Sequence, residues 1–97
     1  MYNLQIRTQV KGDIQEIVDF YDRVSSKISD RFLDELYASW EAISENPALF
    51  QQKYKQTRVK YLRNYPFGVH YMVRDRTVII LAVIHTSRSP RKWQERS

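Results

Sequence analysis

The sequence predicts an α+β domain of order β-α-α-β-β-β: an antiparallel sheet with an N-terminal helical hairpin packed on one face. Three observations carry this reading. Two successive stretches repeat apolar residues at helical spacing, and after them the repeat changes to period two. Near the end stands Val78-Ile79-Ile80-Leu81-Ala82-Val83-Ile84, an uninterrupted, mostly β-branched run. It is too short to cross a membrane and reads as a central strand buried on both faces. At 97 residues the whole chain, 1–97, is expected to be a single domain with a modest core.

Each element follows from local pattern. Leu4, Ile6, Thr8 and Val10 alternate with polar residues, which predicts a first strand over Tyr2 to Gln9. Lys11-Gly12-Asp13 breaks it, and Asp13 with Glu16 resembles a capping box for a helix from Asp13 to Val24. Ser25-Ser26-Lys27 is a short link. Ile28, Phe32, Leu33, Leu36, Tyr37, Trp40 and Ile43 form the stripe of a second helix, closed by Asn46-Pro47 because the residue before proline avoids helical geometry. So short a link makes the helices antiparallel neighbours. Ala48-Leu49-Phe50 is read as an apolar anchor. Thr57 to Asn64 is the second predicted strand, and Tyr65-Pro66-Phe67-Gly68 a turn. Val69, Tyr71 and Val73 belong to a third strand that leaves His70 partly exposed, and Asp75-Arg76 makes a tight hairpin into the apolar run. The segment Arg91 to Arg96 is either one helical turn or extended.

Composition narrows the function classes. The absence of cysteine excludes disulfides and thiolate metal sites. Met1-Tyr2-Asn3-Leu4-Gln5 lacks the basic and apolar regions of a signal peptide, so a soluble, cytoplasmic protein without membrane contact is expected. Residues 1–52 carry five Lys/Arg against nine Asp/Glu, a net −4, while residues 53–97 carry eleven against two, a net +9. That asymmetry points to a cationic surface for nucleic acid or an acidic partner, or to a solvated charged face. Two glycines cannot build a phosphate-cradling loop, and no nucleophile elbow, dinucleotide fingerprint or zinc motif is present, so no cofactor and no metal are expected.

The cations offer the main candidates for binding. Lys53, Lys55, Arg58, Lys60 and Arg63 interleave with Tyr54, Val59, Tyr61 and Leu62. Arg58 and Lys60 share a face by parity, and the face away from the helices is expected to be partly open and to carry them. A row of cations also protects an edge strand from aggregation. Tyr54, Tyr61, Tyr65, Tyr71 and Trp93 can stack on bases or fill the core, with packing favoured for Tyr71 and Trp93. His85 closes the apolar run, where it is either a general acid or base or a hydrogen-bonded structural histidine. Arg88, Arg91 and Lys92 can neutralise a phosphorane-like transition state, or bind a carboxylate-rich peptide.

Asn46-Pro47, Arg63-Asn64-Tyr65-Pro66-Phe67 leading into Val69-His70-Tyr71, and Ile84-His85-Thr86-Ser87-Arg88-Ser89-Pro90-Arg91-Lys92-Trp93 together resemble the RelE/ParE toxin superfamily of bacterial type II toxin–antitoxin systems, many of them plasmid stabilisation proteins. The most specific piece is the strand-end pattern of His, two variable residues, Arg, then Pro and Trp. The resemblance covers the full length. It implies a compact sheet with a helical hairpin and neutralisation by a cognate, acidic, partly disordered antitoxin. It also implies one of two activities: ribosome-dependent cleavage of mRNA, or ParE-like inhibition of DNA gyrase without catalysis. A third expectation is an inactive member kept for its antitoxin complex.

The expectation placed first is metal-independent mRNA cleavage on the ribosome. In it His85, Arg88 and Arg63 are catalytic, and Lys53, Lys55, Arg58, Lys60, Arg91, Lys92 and Trp93 bind nucleic acid. RNA-cleaving members often carry an arginine directly after the aromatic that opens the third strand, where this chain has Gly68. Many end in a functional tyrosine where this chain offers Trp93, which has no phenol. The antitoxin is expected to lay an acidic segment over the cationic sheet face and to dock apolar residues beside the helices.

Overall fold

The computed structural model describes residues 1–87 of the 97. The elements are β1 (Asn3–Ile6), α1 (Thr8–Asp22), α2 (Ser26–Glu45), a 3-10 turn (Pro47–Leu49), β2 (Gln51–Tyr54), β3 (Thr57–Tyr61), β4 (Phe67–Arg74) and β5 (Thr77–His85). Five strands form one sheet in the order β1-β5-β4-β3-β2, with the helical hairpin on one face, as the α+β reading expects. Four of its strands run antiparallel in succession, but β1 pairs with β5 in parallel. The reason is that two helices separate β1 from the rest of the sheet, a connection long enough to bring the chain back in the same direction.

Several boundaries differ from the sequence reading; α1 ends at Asp22 rather than Val24, and β4 opens at Phe67, inside the stretch read as a turn. The first strand ends at Ile6, and α1 begins at Thr8 rather than Asp13. Val10 satisfies period two with Ile6, yet it also leads the helical series Val10, Ile14, Ile17, Tyr21, and that series wins because it buries Val10 completely. Asp13 is therefore no cap; from inside α1 its carboxylate accepts the Val83 N–H at 3.0 Å. The second helix starts on a true cap, since the Ser25 hydroxyl accepts the Lys27 N–H at 3.2 Å, and it ends before Pro47 as expected. The second predicted strand stops at Tyr61, where Leu62 turns in to give its N–H to the Phe67 carbonyl at 2.9 Å. The strand that the pattern misses is β2, whose sequence Gln-Gln-Lys-Tyr has no apolar alternation. It is placed by a tight turn in which Lys55 takes φ 50°, in the left-handed region.

Sheet register separates the two faces. On the helix side, Val69, Tyr71, Val78, Ile80 and Val83 pack with Val10, Ile17, Phe32, Leu36 and Ile43. On the far side lie Val59, His70, Met72, Ile79, Leu81, Ala82 and Ile84. Tyr71 pairs with Ile80 and His70 with Ala82, so Leu81 is the extra residue of a β-bulge and turns to the far side together with Ala82. The far face is not open. Leu81 and Ala82 are fully buried, and His70, expected to be partly exposed, is 6% exposed.

Candidate functional site

The candidate residues fall in four places. Arg58 pairs with Tyr71 and Lys60 with Val69, so both cations lie on the helix side of the sheet, not on the far face where they were expected. There they meet the loop that follows α2. The Arg58 guanidinium donates to the carbonyls of Phe50 at 2.7 Å and Ala48 at 3.4 Å, and the Lys60 ammonium sits 5.4 Å from the centre of the Phe50 ring. The Tyr71 hydroxyl donates to the Pro47 carbonyl beside them. Burial pushes the Tyr71 phenol up to about 12, against the opposing charge of Arg58. Arg58 thus holds two carbonyls that the end of the 3-10 turn leaves without helical partners.

Arg63 lies in the exposed link between β3 and β4, and α2 holds that link. The Glu35 carboxylate accepts the backbone N–H groups of Arg63 and Asn64 and the Asn64 side-chain amide at 2.9 Å. Desolvation raises the Glu35 carboxyl, but these hydrogen bonds and the nearby Lys60 charge together bring it below its ordinary value. Tyr65 ties the same link to the start of α2 by donating to the Ile28 carbonyl at 2.8 Å. A wide cleft of about 840 Å³ lies here, lined by Tyr21, Ile28, Arg31, Glu35, Asn64 and Tyr65.

His85 ends β5 on the helix side, two strands away from Lys60, with β4 between them. Its ring meets Phe67 edge-on at 5.3 Å, and Phe67 continues into a cluster with Phe32, Tyr65 and Tyr21. The Ser87 N–H donates to Nδ1 at 3.1 Å, with the Ser87 hydroxyl 2.8 Å from the same nitrogen. A nitrogen that accepts from a backbone amide carries no proton, so neutral His85 is protonated on Nε2 and presents a donor. A cavity of about 530 Å³ opens beside it, with Asp13, Glu16, Phe20, Phe67 and Ser87 on its walls.

Lys53 and Lys55 are exposed on β2 and its turn, with Lys55 5.3 Å from the centre of the Tyr54 ring. Burial pushes the His70 imidazole down to about 4; the Lys53 charge adds to this, and Asp13 opposes it. Arg88, Arg91, Lys92 and Trp93 lie outside the described residues. Among those described, the structure brings Arg58 and Lys60 together but leaves His85, Arg63 and the β2 lysines as separate places. Sequence reasoning missed Glu35 and Asp13 as anchors. Asp13 had a legible signal, an acid flanked by Val10, Ile14 and Ile17 on an apolar helix stripe. Glu35 had none, since its partners lie 28 and 29 residues away.

No helix among the described residues is long and apolar enough to cross a membrane, and no group of three His, Cys, Asp or Glu there can hold a metal ion. A family model described as the ParE toxin of the type II toxin–antitoxin system parDE matches residues 4–90. No curated protein sequence matches the chain. Among solved structures it is similar to a chain of the chromosomal ParDE system from P. aeruginosa, with 15% identity, 90% of this chain and 98% of that chain covered, and a TM-score of 0.78. It is also similar to the isolated E. coli RelE toxin, again at 15% identity, with 98% and 95% covered and a TM-score of 0.55. These two likenesses are of fold. With the family model spanning nearly all of the described chain, this protein belongs to the ParE toxin family of type II toxin–antitoxin systems, within the RelE/ParE superfamily.

Proposed function

We propose that this toxin acts by binding and inhibiting DNA gyrase, as the resemblance to ParE-like members implies, and is neutralised by an antitoxin partner. The observation that carries this reading is the use made of Arg58. Its guanidinium braces the carbonyls of Phe50 and Ala48 beneath the helix-side rim, and Lys60 lies against the Phe50 ring, so the cations that RNA cleavage would align along an open face serve the loop instead. Gly68 adds support. A Cβ there would stand 2.9 Å from Val59 Cγ2 and 3.2 Å from the Tyr61 ring, so the arginine that cleaving members often place at this position does not fit without displacing its neighbours.

Ribosome-dependent mRNA cleavage is the second reading, favoured by His85, whose Nε2–H stands at the end of β5 beside a cavity. Two assays separate them. Purified toxin added to a gyrase supercoiling reaction should abolish supercoiling, and added to programmed ribosomes should leave the mRNA whole. Codon-linked cuts that vanish in His85→Ala, with supercoiling intact, would reverse the order of the two readings. Silence in both assays, with tight antitoxin binding, would leave a member kept only for its complex.

A further inference from the structure

Charge in this chain is divided between its layers. Residues 8–45, the two helices and their link, carry four Lys/Arg against nine Asp/Glu, a net −5. Residues 46–87, the 3-10 turn with β2 to β5 and their links, carry seven against one, a net +6. The helical hairpin is thus an anionic body on a protein whose total is +5. The wide cleft of about 840 Å³ opens where the end of α1 and the first half of α2 meet the link between β3 and β4, and Asp34 stands on its wall beside Arg31 and Glu35. Asp34 is exposed and, unlike Glu35, makes no hydrogen bond or ion pair with a described residue. The Asn64 amide donates to Glu35 and the Tyr65 hydroxyl to Ile28, which leaves the oxygen of each as an acceptor. The rings of Tyr21 and Tyr65 meet edge to face at 5.3 Å and make the aromatic part of the wall. Desolvation raises the Tyr65 phenol, the Glu35 charge raises it further, and the Arg31 charge opposes it, so both charges bear on one hydroxyl. Acceptors, excess negative charge and aromatic faces stand together here.

We propose that this cleft takes an arginine side chain from a polypeptide partner, and that the partner is the antitoxin. Charge complementarity to the hairpin selects a cation. A guanidinium suits the wall better than an ammonium, because it is planar, stacks on aromatic rings and offers five donors to acceptors that lie in different directions. Arg31 opposes the arriving cation, but Asp34 and Glu35 outnumber it. A cleft of this size also admits the backbone on either side of the arginine. A segment already held elsewhere on the toxin delivers the side chain without the full entropic cost of binding alone. An antitoxin that meets both halves of this toxin therefore carries both signs: an acidic stretch for the cationic half, and an arginine for the hairpin. Only the identity of the partner rests on the antitoxin reading, while the chemistry of the cleft stands without it.

An NMR titration of the isotope-labelled, full-length toxin tests the cleft, with acetyl-Gly-Arg-Gly-amide and its lysine and glutamate counterparts as ligands. The arginine peptide should give saturable shifts centred on the Asn64 side-chain amide and the backbone amides of Asp34 and Tyr65, and should bind at least about fivefold more tightly than the lysine peptide. The glutamate peptide should leave those signals in place. Asp34→Asn should weaken the arginine peptide at least about threefold without moving the melting temperature, since this side chain holds no described residue. Arg31→Gln should tighten it. Equal binding of the arginine and lysine peptides, shifts that map elsewhere, shifts that do not saturate, or weaker binding in Arg31→Gln overturns the arginine site. The cognate antitoxin tests the occupant: Asp34→Asn in the toxin should raise its Kd at least about threefold. An arginine site that passes the titration while antitoxin affinity stays unchanged removes the antitoxin as its occupant. A toxin silent in the gyrase assay alters neither result.

Discussion

The two faces of the sheet are drawn from alternate residues of the same two strands, β4 and β5, yet they are secured differently. On the helix side each strand is tied to another element by a polar anchor as well as by packing: Tyr71 donates to Pro47, and the Val83 N–H donates to Asp13 of α1. On the far side Met72, Ile79 and Leu81 form one apolar cluster and Ala82, Ile84 and Tyr54 another, and a titratable group, His70, is buried on the same face. Two helices and a loop pack on the helix-side face. The faces should therefore respond unequally to equivalent damage. Tyr71→Ala removes a fully buried ring and its anchor and should cost about 4 kcal/mol, against about 2 kcal/mol for Met72→Ala, which removes packing alone. Urea unfolding of the two variants measures the difference, and equal losses would erase the distinction.

Acid should attack the far face first. The ordinary value for the His70 imidazole is 6.5, and burial takes it down to about 4, with Lys53 adding to the effect and Asp13 opposing it. Between these values the unfolded chain binds a proton that the folded chain refuses, so stability falls as the pH drops through this window and is level above it. The loss by pH 4 should reach up to about 3 kcal/mol. His70→Gln should flatten the slope of unfolding free energy between pH 6.5 and 4, and an unchanged slope would assign the acid sensitivity elsewhere.

Gly68 sets the third test, on the far face where β3 meets β4. A methyl group there meets Val59 Cγ2 at 2.9 Å, so Gly68→Ala should cost about 1–3 kcal/mol. The companion change Gly12→Ala, in α1 with nothing within 4 Å of the added carbon, should gain about 0.5–1 kcal/mol. Thermal melts of the pair are expected to move in opposite directions.

Much of the frame was legible because its signals were local. The stripe from Ile28 to Ile43 and the Asn46-Pro47 stop define α2, and the run from Val78 to Ile84 defines β5. What stayed hidden depended on partners far along the chain. Thr8 to Val10 satisfies both periods, and the burial of Val10 under α2 decides between them. Gln51 to Tyr54 has no strand pattern and becomes β2 only by pairing with β3. The site was legible to the same degree. His85 at a strand end is visible in sequence, but its Ser87 contacts and the grip of Glu35 on the Arg63 link are not. The side on which Arg58 lies was misread because alternation with Val59 fixes parity without naming the covered face. In this sheet both parities are buried, and the polarity of a strand residue no longer points to solvent.

Arg58 offers the smallest effect and the sharpest link to function. If its role is to hold the Ala48 and Phe50 carbonyls, Arg58→Ala should cost about 1 kcal/mol, the charged hydrogen bonds being discounted for partial exposure. The loss should be smaller still in a chain already carrying Tyr71→Phe, because both side chains secure the same loop. The same variant should leave the salt dependence of RNA binding unchanged, since a cation bound to backbone carbonyls has no phosphate to neutralise. A drop of about one in the salt slope, without loss of stability, would return Arg58 to the nucleic-acid surface and strengthen the cleavage reading. Loss of stability with an unchanged slope would place the residue where its geometry does, in the frame that carries the helix-side rim.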